Sequence, residues 1–246
     1  MFRYLILGFL FAVPDLSFAQ TSLHDVLDLP SNISVSTWIV RTFGLITILS
    51  IAPMFLMMVT CFPRFVIVFS MLRTGIGMAS IPPNLVVIGL SLFMTFYVMS
   101  PTLDRVMETG IHPLMNNKIT ETEAIQRIGE PFRIFMKNNT REKDLILFMH
   151  MAHGDDKIQD IHMNGNIEYR ILMPAFMISE LRRSFEIGFL IILPFLIIDM
   201  IVATIVMAMG MMMLPPTSVS LPFKIIFFVL IDGWSLLVEN LVRSFV

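Results

Sequence analysis

Three sets of side chains in this sequence have types and spacing that could do chemistry. Asp199 and Asp232 stand in two separate apolar segments. Two such carboxylates can divide acid and base roles, one kept protonated and the other activating water, as in intramembrane aspartyl proteolysis. Asp232, however, sits in Ile231-Asp232-Gly233 without a Gly-x-Gly lead, and no tyrosine precedes Asp199. The plainer reading makes them buried structural acids, paired with Lys224 or with hydroxyl and backbone donors of neighbouring segments. His150 and His153 share one helical face, and Asp155 could add a third metal ligand. There is no HExxH and no second cluster, so a solvated helix end explains them as well.

The third set is the stretch MAMGMMMLPP (207–216). Met207, Met209 and Met211 alternate as soft thioether ligands for Cu(I) would. No His or Cys lies nearby to complete a site, and the chain holds 22 methionines, so local density says less than it would elsewhere. Methionine is unbranched and polarizable and packs well in several shapes. Gly210 loosens the backbone there, and Pro215-Pro216 stops the helix from resuming at once. Packing, a deformable seal and a soft-metal site all remain open on these residues alone. Glu180 and Lys224 flank the two ends of the long apolar stretch around this turn. They can pair if both ends meet at one level of an assembly, and are otherwise two interfacial charges.

The elements that must position these groups are apolar. Of 246 residues, 56% are hydrophobic, and the mean hydropathy is +0.79. Net charge is only −2, which gives no basic patch for nucleic acid. Residues 101–184 carry 11 Lys/Arg and 12 Asp/Glu, against four and three in residues 1–100 and two and four in residues 185–246. Two apolar blocks flank one water-compatible block, the layout of a membrane protein. Cys61 is the only cysteine, which excludes an internal disulfide and a cysteine metal cluster.

Residues 1–19 have the form of a cleavable signal peptide: Arg3, a short apolar core, and Ser17-Phe18-Ala19 before a cut between Ala19 and Gln20. Residues 20–41 then begin outside the cytoplasm. Residues 42–100 predict a first apolar hairpin, with a span over 42–63 kinked at Pro53. A short cytoplasmic loop follows, holding Arg64, Arg73, Gly75, Gly77 and Pro82-Pro83, and then a second apolar run over 84–99. Residues 101–184 predict soluble helices on the outer, periplasmic face. Thr120 and Glu123 form a capping box, Ala124, Ile128, Phe132 and Phe135 an apolar face, and Thr140 a second cap. Residues 155–166 predict a loop. Residues 185–246 predict a second hairpin, with helices over about 185–207 and 221–242. The count is four spans. Yet Pro53, Pro194, Asp199, Lys224 and Asp232 interrupt them, so these helices should pack on protein or line a wet cavity. The expected fold is all-α and membrane-associated, made of kinked helical hairpins with a helical periplasmic segment.

Several ordered stretches carry a resemblance. They include Thr60-Cys61-Phe62-Pro63-Arg64-Phe65-Val66-Ile67-Val68-Phe69, Thr140-Arg141-Glu142-Lys143-Asp144-Leu145, Ser179-Glu180-Leu181 and Pro194-Phe195-Leu196-Ile197-Ile198-Asp199. MAMGMMMLPP, Leu221-Pro222-Phe223-Lys224 and Asp232-Gly233-Trp234 complete the set. Over nearly all of the mature length this pattern resembles the FliP/SctR family of type III secretion export-gate proteins, and more fully its flagellar branch than its injectisome branch. The resemblance implies a pentameric helical ring with FliQ and FliR, beside FlhA and FlhB. That ring would lie in the bacterial inner membrane at the flagellar basal body, and unfolded flagellar proteins would thread through it. It implies hairpins that pack mostly on each other. It also implies that Met211, Met212 and Met213, with Met209 beside them, form a gasket, and that Glu180 and Lys224 bridge neighbouring subunits. For such a pore subunit no enzyme activity, metal or cofactor is expected, and energy would come from elsewhere, since no phosphate-binding Gly-rich loop ending in Lys-Ser/Thr occurs.

Overall fold

The structure, a computed structural model, describes residues 42–44, 46–47, 50, 57–78, 81–153, 167–210 and 215–245. The chain forms two compact units, Met1–Ala52 and Pro53–Val246. In the first, the described residues are helical, and the hydroxyls of Thr47 and Ser50 donate to the carbonyls of Phe43 and Ile46. The expected signal peptide with its Ala19–Gln20 cut, the 20–41 segment and the Pro53 kink lie outside the described residues, as do the 155–166 loop and Met211 to Met213.

The second unit is built of helices, as expected for an all-α fold. The segment expected to be a cytoplasmic loop is instead a helix, α1 (Phe62–Ile76), and it lies at the centre of the core. Pro63 starts it at a position where no N–H is needed. Gly77 ends it at φ 95, and the amide of Met78 reaches back to the Arg73 carbonyl. Between these ends Phe65, Val68, Phe69, Leu72 and Ile76 repeat at helical spacing and are buried. Arginine and glycine suggested a loop because both read as exposed when taken singly. Their helical spacing against apolar neighbours decides otherwise.

Next, α2 (Asn84–Val106) runs through Pro101 into a π-helical segment (Met107–Ile111) and the short α3 (His112–Met115). Together they make one apolar helix of 32 residues, Asn84–Met115. α4 (Glu121–Asn139) starts at Thr120, whose Oγ1 accepts from the Glu123 amide at 3.3 Å. The expected box is half formed, because the Glu123 carboxylate pairs with Arg127 instead. α5 (Glu142–His153) is not capped by Thr140, whose hydroxyl donates to the Met136 carbonyl and closes α4. The Arg141 amide donates across the fold to Ser179 Oγ, and Ser179 donates to Asp144.

No helix boundary falls at the expected border at residue 184. α6 (Tyr169–Ala208) is a single helix of 40 residues crossing it. At 1.5 Å per residue it is about 60 Å long, about twice the hydrocarbon thickness of a bilayer. Its first part carries Arg170, Glu180, Arg182, Arg183 and Glu186, and beyond Glu186 only Asp199 is charged. The last expected helix is broken too. α7 (Pro216–Leu230) and α8 (Gly233–Arg243) meet at a 63° bend. Among the described residues two helices are long and apolar enough to cross a membrane, or three if the bent pair counts as one. The first of the four expected spans, over 42–63, lies largely outside the described residues.

α6 is the spine. α1 lies along it, with Arg64 opposite Glu180, Met71 opposite Gly188 and Gly75 opposite Ile192, so the two helices run parallel. Small residues permit this approach: a Cβ on Gly188 would fall 2.4 Å from Met71 Sδ, and one on Gly75 2.8 Å from Ile192 Cγ1. α7 returns antiparallel, with Phe228 near Phe195 and Lys224 near Asp199. One apolar core gathers α1, α2, α6, α7 and α8, and a second gathers α4, α5 and the first half of α6. Phe132 and Phe135 of α4 touch both.

Candidate functional site

The methionine-rich stretch connects α6 to α7, its residues 211–214 lying outside the described residues. α6 ends as the amides of Met209 and Gly210 bond back to the carbonyls of Ile205 and Met207. Gly210 takes φ 72, a left-handed conformation that only glycine adopts without strain. The Met209 residue is 63% exposed. On the far side Pro215 is extended and Pro216 opens α7. Thus Gly210 closes α6, and Pro215 and Pro216 open α7, on either side of the undescribed residues 211–214.

Below the turn the hairpin is locked by charge. Lys224 Nζ donates to Asp199 Oδ2 at 2.6 Å and to the Gly75 carbonyl at 3.1 Å. Ser220 Oγ donates to Asp199 Oδ1 at 2.5 Å. Lys224 is buried, whereas the Asp199 side chain keeps 28% exposure and lines a cavity of about 380 Å³ with Thr74, Ser218 and Leu221. An acid in an apolar helix costs roughly 2.5–3.5 kcal/mol at a bilayer centre when unpaired. Here a cation and a hydroxyl offset that cost, and three helices are tied at one point.

Glu180 has a different partner from the one anticipated. Within the chain it pairs with Arg64, through Nε to Oε2 at 2.8 Å and Nη2 to Oε1. Arg64 also donates to Ser244 Oγ at 2.7 Å and lies 3.5 Å from the centre of the Phe245 ring. Arg64, expected in a cytoplasmic loop, and Glu180 are both fully buried. A Glu180–Lys224 pair does not form within one chain, because each charge has a nearer partner. Lys224 as the partner of Asp199 was visible in the sequence; Arg64 as the partner of Glu180 was missed.

Asp232, expected as a buried acid, is not buried within the single chain. It is exposed at φ 51, forming the bend between α7 and α8, and its carbonyl accepts from the Leu236 amide. Aspartate tolerates this left-handed conformation better than most residues. Asp199 bonds Lys224 and Ser220, and Asp232 shares neither partner. His150 and His153 end α5, while Asp155 lies outside the described residues. Among the described residues no group of three or more His, Cys, Asp and Glu could hold a metal ion.

Comparison with known proteins bears on this arrangement. The profile of the FliP family matches residues 45–241. The flagellar biosynthetic protein FliP of Agrobacterium fabrum is 59% identical over 246 residues, covering 100% of both chains. That of Rhizobium meliloti is 60% identical over 235 residues, 96% of this chain and 95% of its own. That of Bacillus subtilis is 49% identical over 218 residues, 88% of this chain and 95% of its own.

Proposed function

This chain belongs to the FliP family, and we infer from that membership and from its locked hairpin that it is a subunit of the flagellar type III protein export gate. It is a membrane-associated component of the flagellar export apparatus. The observation that carries the reading is the joint one: identity along the full length to flagellar relatives, and a methionine-rich turn held at its base by the Asp199–Lys224–Ser220 lock.

The finer reading is a pore. Copies of the chain form a pentameric ring with FliQ and FliR beside FlhA and FlhB, in the bacterial inner membrane with much of the chain toward the periplasm. Exposed apolar side chains along the second half of α6, including Phe189, Leu190, Ile197, Met200 and Ile201, support burial against neighbours or lipid. In this reading Met211, Met212 and Met213 face the channel beside Met209. Thioether chains exclude water when packed and deform around many passing side chains, since they demand no fixed geometry. The chain performs no catalysis; energy for transport comes from other components.

A Glu180–Lys224 bridge between subunits, which the family likeness implies, would form by exchange. Glu180 would leave Arg64 and Lys224 would leave Asp199. Assembly must then compensate two opened pairs, and breaking a buried pair costs about 3–5 kcal/mol when one charge is left alone.

The test is co-purification. A tagged full-length chain extracted from flagellated cells is expected to bring down FliQ and FliR in fixed ratio with several copies of itself. A chain recovered alone from intact basal bodies would overturn the assignment.

A further inference from the structure

Arg64, Lys224, Arg133 and Arg141 each meet a carboxylate. Among the described residues Arg73, near the end of α1, meets none. Its Nη1 donates to two neutral oxygens, Asn84 Oδ1 at 2.5 Å and the Pro82 carbonyl at 3.3 Å, and its Nε is buried without a partner. Among the described residues no acid forms an ion pair with Arg73, and neither Asp104 on α2 nor Asp232 at the α7–α8 bend bonds to it. Asp199 on α6 is committed to Lys224 and Ser220, α7 contains no acid, and Glu239 on α8 pairs with Arg243. A guanidinium presents a planar fork of donors suited to phosphate and carboxylate, so its charge and its idle N–H both call for an oxyanion.

Beside Arg73 opens a half-enclosed slot of about 450 Å³. Its walls include Phe69, Leu72, Ile76, Val87, Phe228 and Trp234, and Arg73 is the charged member of the lining. Ile81, Leu85 and Val86, next to it in the chain, are exposed. The slot therefore faces apolar surroundings and joins one cationic donor to a hydrocarbon-shaped space within the size range of small-ligand pockets. We propose that the slot binds an anionic phospholipid, one acyl segment lying against Val87 and Trp234 and the headgroup phosphate on Arg73 and Asn84. The bound lipid would tie α1, α2 and α7 together at the base of the hairpin and supply the counter-charge that the described residues do not give Arg73.

Trp234 supplies the readout. In the full-length chain carrying Trp38→Phe it is the only tryptophan. The purified protein, in excess neutral detergent, is titrated with phosphatidylglycerol or phosphatidylcholine bearing brominated acyl chains. Half-quenching of Trp234 is expected at about fivefold lower concentration of the anionic lipid, the ratio that corresponds to about 1 kcal/mol for one basic residue at a lipid surface. Arg73→Gln is expected to remove the preference, raising the half-quenching concentration of phosphatidylglycerol more than that of phosphatidylcholine, whose phosphate also loses its donor, and Arg73→Lys to keep most of it. Equal quenching by the two lipids, or a preference that survives Arg73→Gln, overturns the proposal. Loss of the preference in inorganic phosphate, but not in chloride of equal ionic strength, would assign the site to free phosphate and overturn the lipid. Helical circular dichroism checks that each variant is folded. If Arg73→Gln does not fold, Arg73→Lys decides: a retained preference supports the proposal and a lost one overturns it.

Discussion

Arg64 and Glu180, 116 residues apart in sequence, join the two central parallel helices through a two-pronged ion pair from which solvent is excluded. Ser244 and Phe245 cover the same guanidinium, so the end of the chain is fastened to the same point. A buried charge pair is retained at little net gain, but losing one member strands the other.

Arg64→Ala is therefore expected to lower stability by about 3–5 kcal/mol. The double change Arg64→Met with Glu180→Leu should cost far less, because no charge is left alone. Thermal unfolding of the full chain in detergent, followed by circular dichroism, checks the order. Equal losses in the single and double variants would show that the pair is not what holds the helices.

Asp199→Asn is expected to weaken the hairpin lock, leaving buried Lys224 with the Gly75 carbonyl as its main partner. The loss should be about 1–3 kcal/mol, with reduced assembly into the export gate. A proteolytic role makes the opposite forecast: intact assembly with cleavage lost. Blue-native electrophoresis of membranes separates the two.

Lys224 offers a test of partner exchange. Glu180→Lys alone should impair ring formation, and adding Lys224→Glu should restore part of it if the two charges meet across subunits. In the isolated chain the same double variant should remain destabilised, since Arg64 then faces Lys and Asp199 faces Glu. Without rescue of the ring, the two charges act separately, each within its own chain.

Shortening Met211, Met212 and Met213 to Ala is expected to raise ion leak across the membrane, because the smaller side chains cannot close a pore by packing. Conductance of cells carrying the triple variant measures this, and an unchanged value argues against a seal at the turn. Bound copper in the purified wild-type protein would favour the soft-metal alternative.

Close helix contact gives a further expectation. Gly188→Ala should cost about 1 kcal/mol or less, since Met71 can move its sulfur aside, whereas Gly188→Leu should cost about 1–3 kcal/mol as overpacking does. Met71→Ala should recover part of the Leu variant's loss in the same melting experiment.

Much of this molecule is legible from local pattern. The apolar blocks, the Thr120 cap, the apolar face of α4 and the Gly and Pro shoulders of the methionine turn all follow from signals spanning a turn or two of helix. What local pattern lacks is register. Glu180 could have met any of several cations, and the segment around Arg64 looked like a loop because its charge was weighed without the surface that buries it. Only the parallel fit of α1 on α6, allowed by Gly75 and Gly188, sets Arg64 opposite Glu180 and leaves Lys224 to Asp199. The same packing ends α7 at a bend and turns Asp232 outward. Charge attraction is non-specific in direction and partner. The shape of the packed helices selects among the pairs that the sequence makes available.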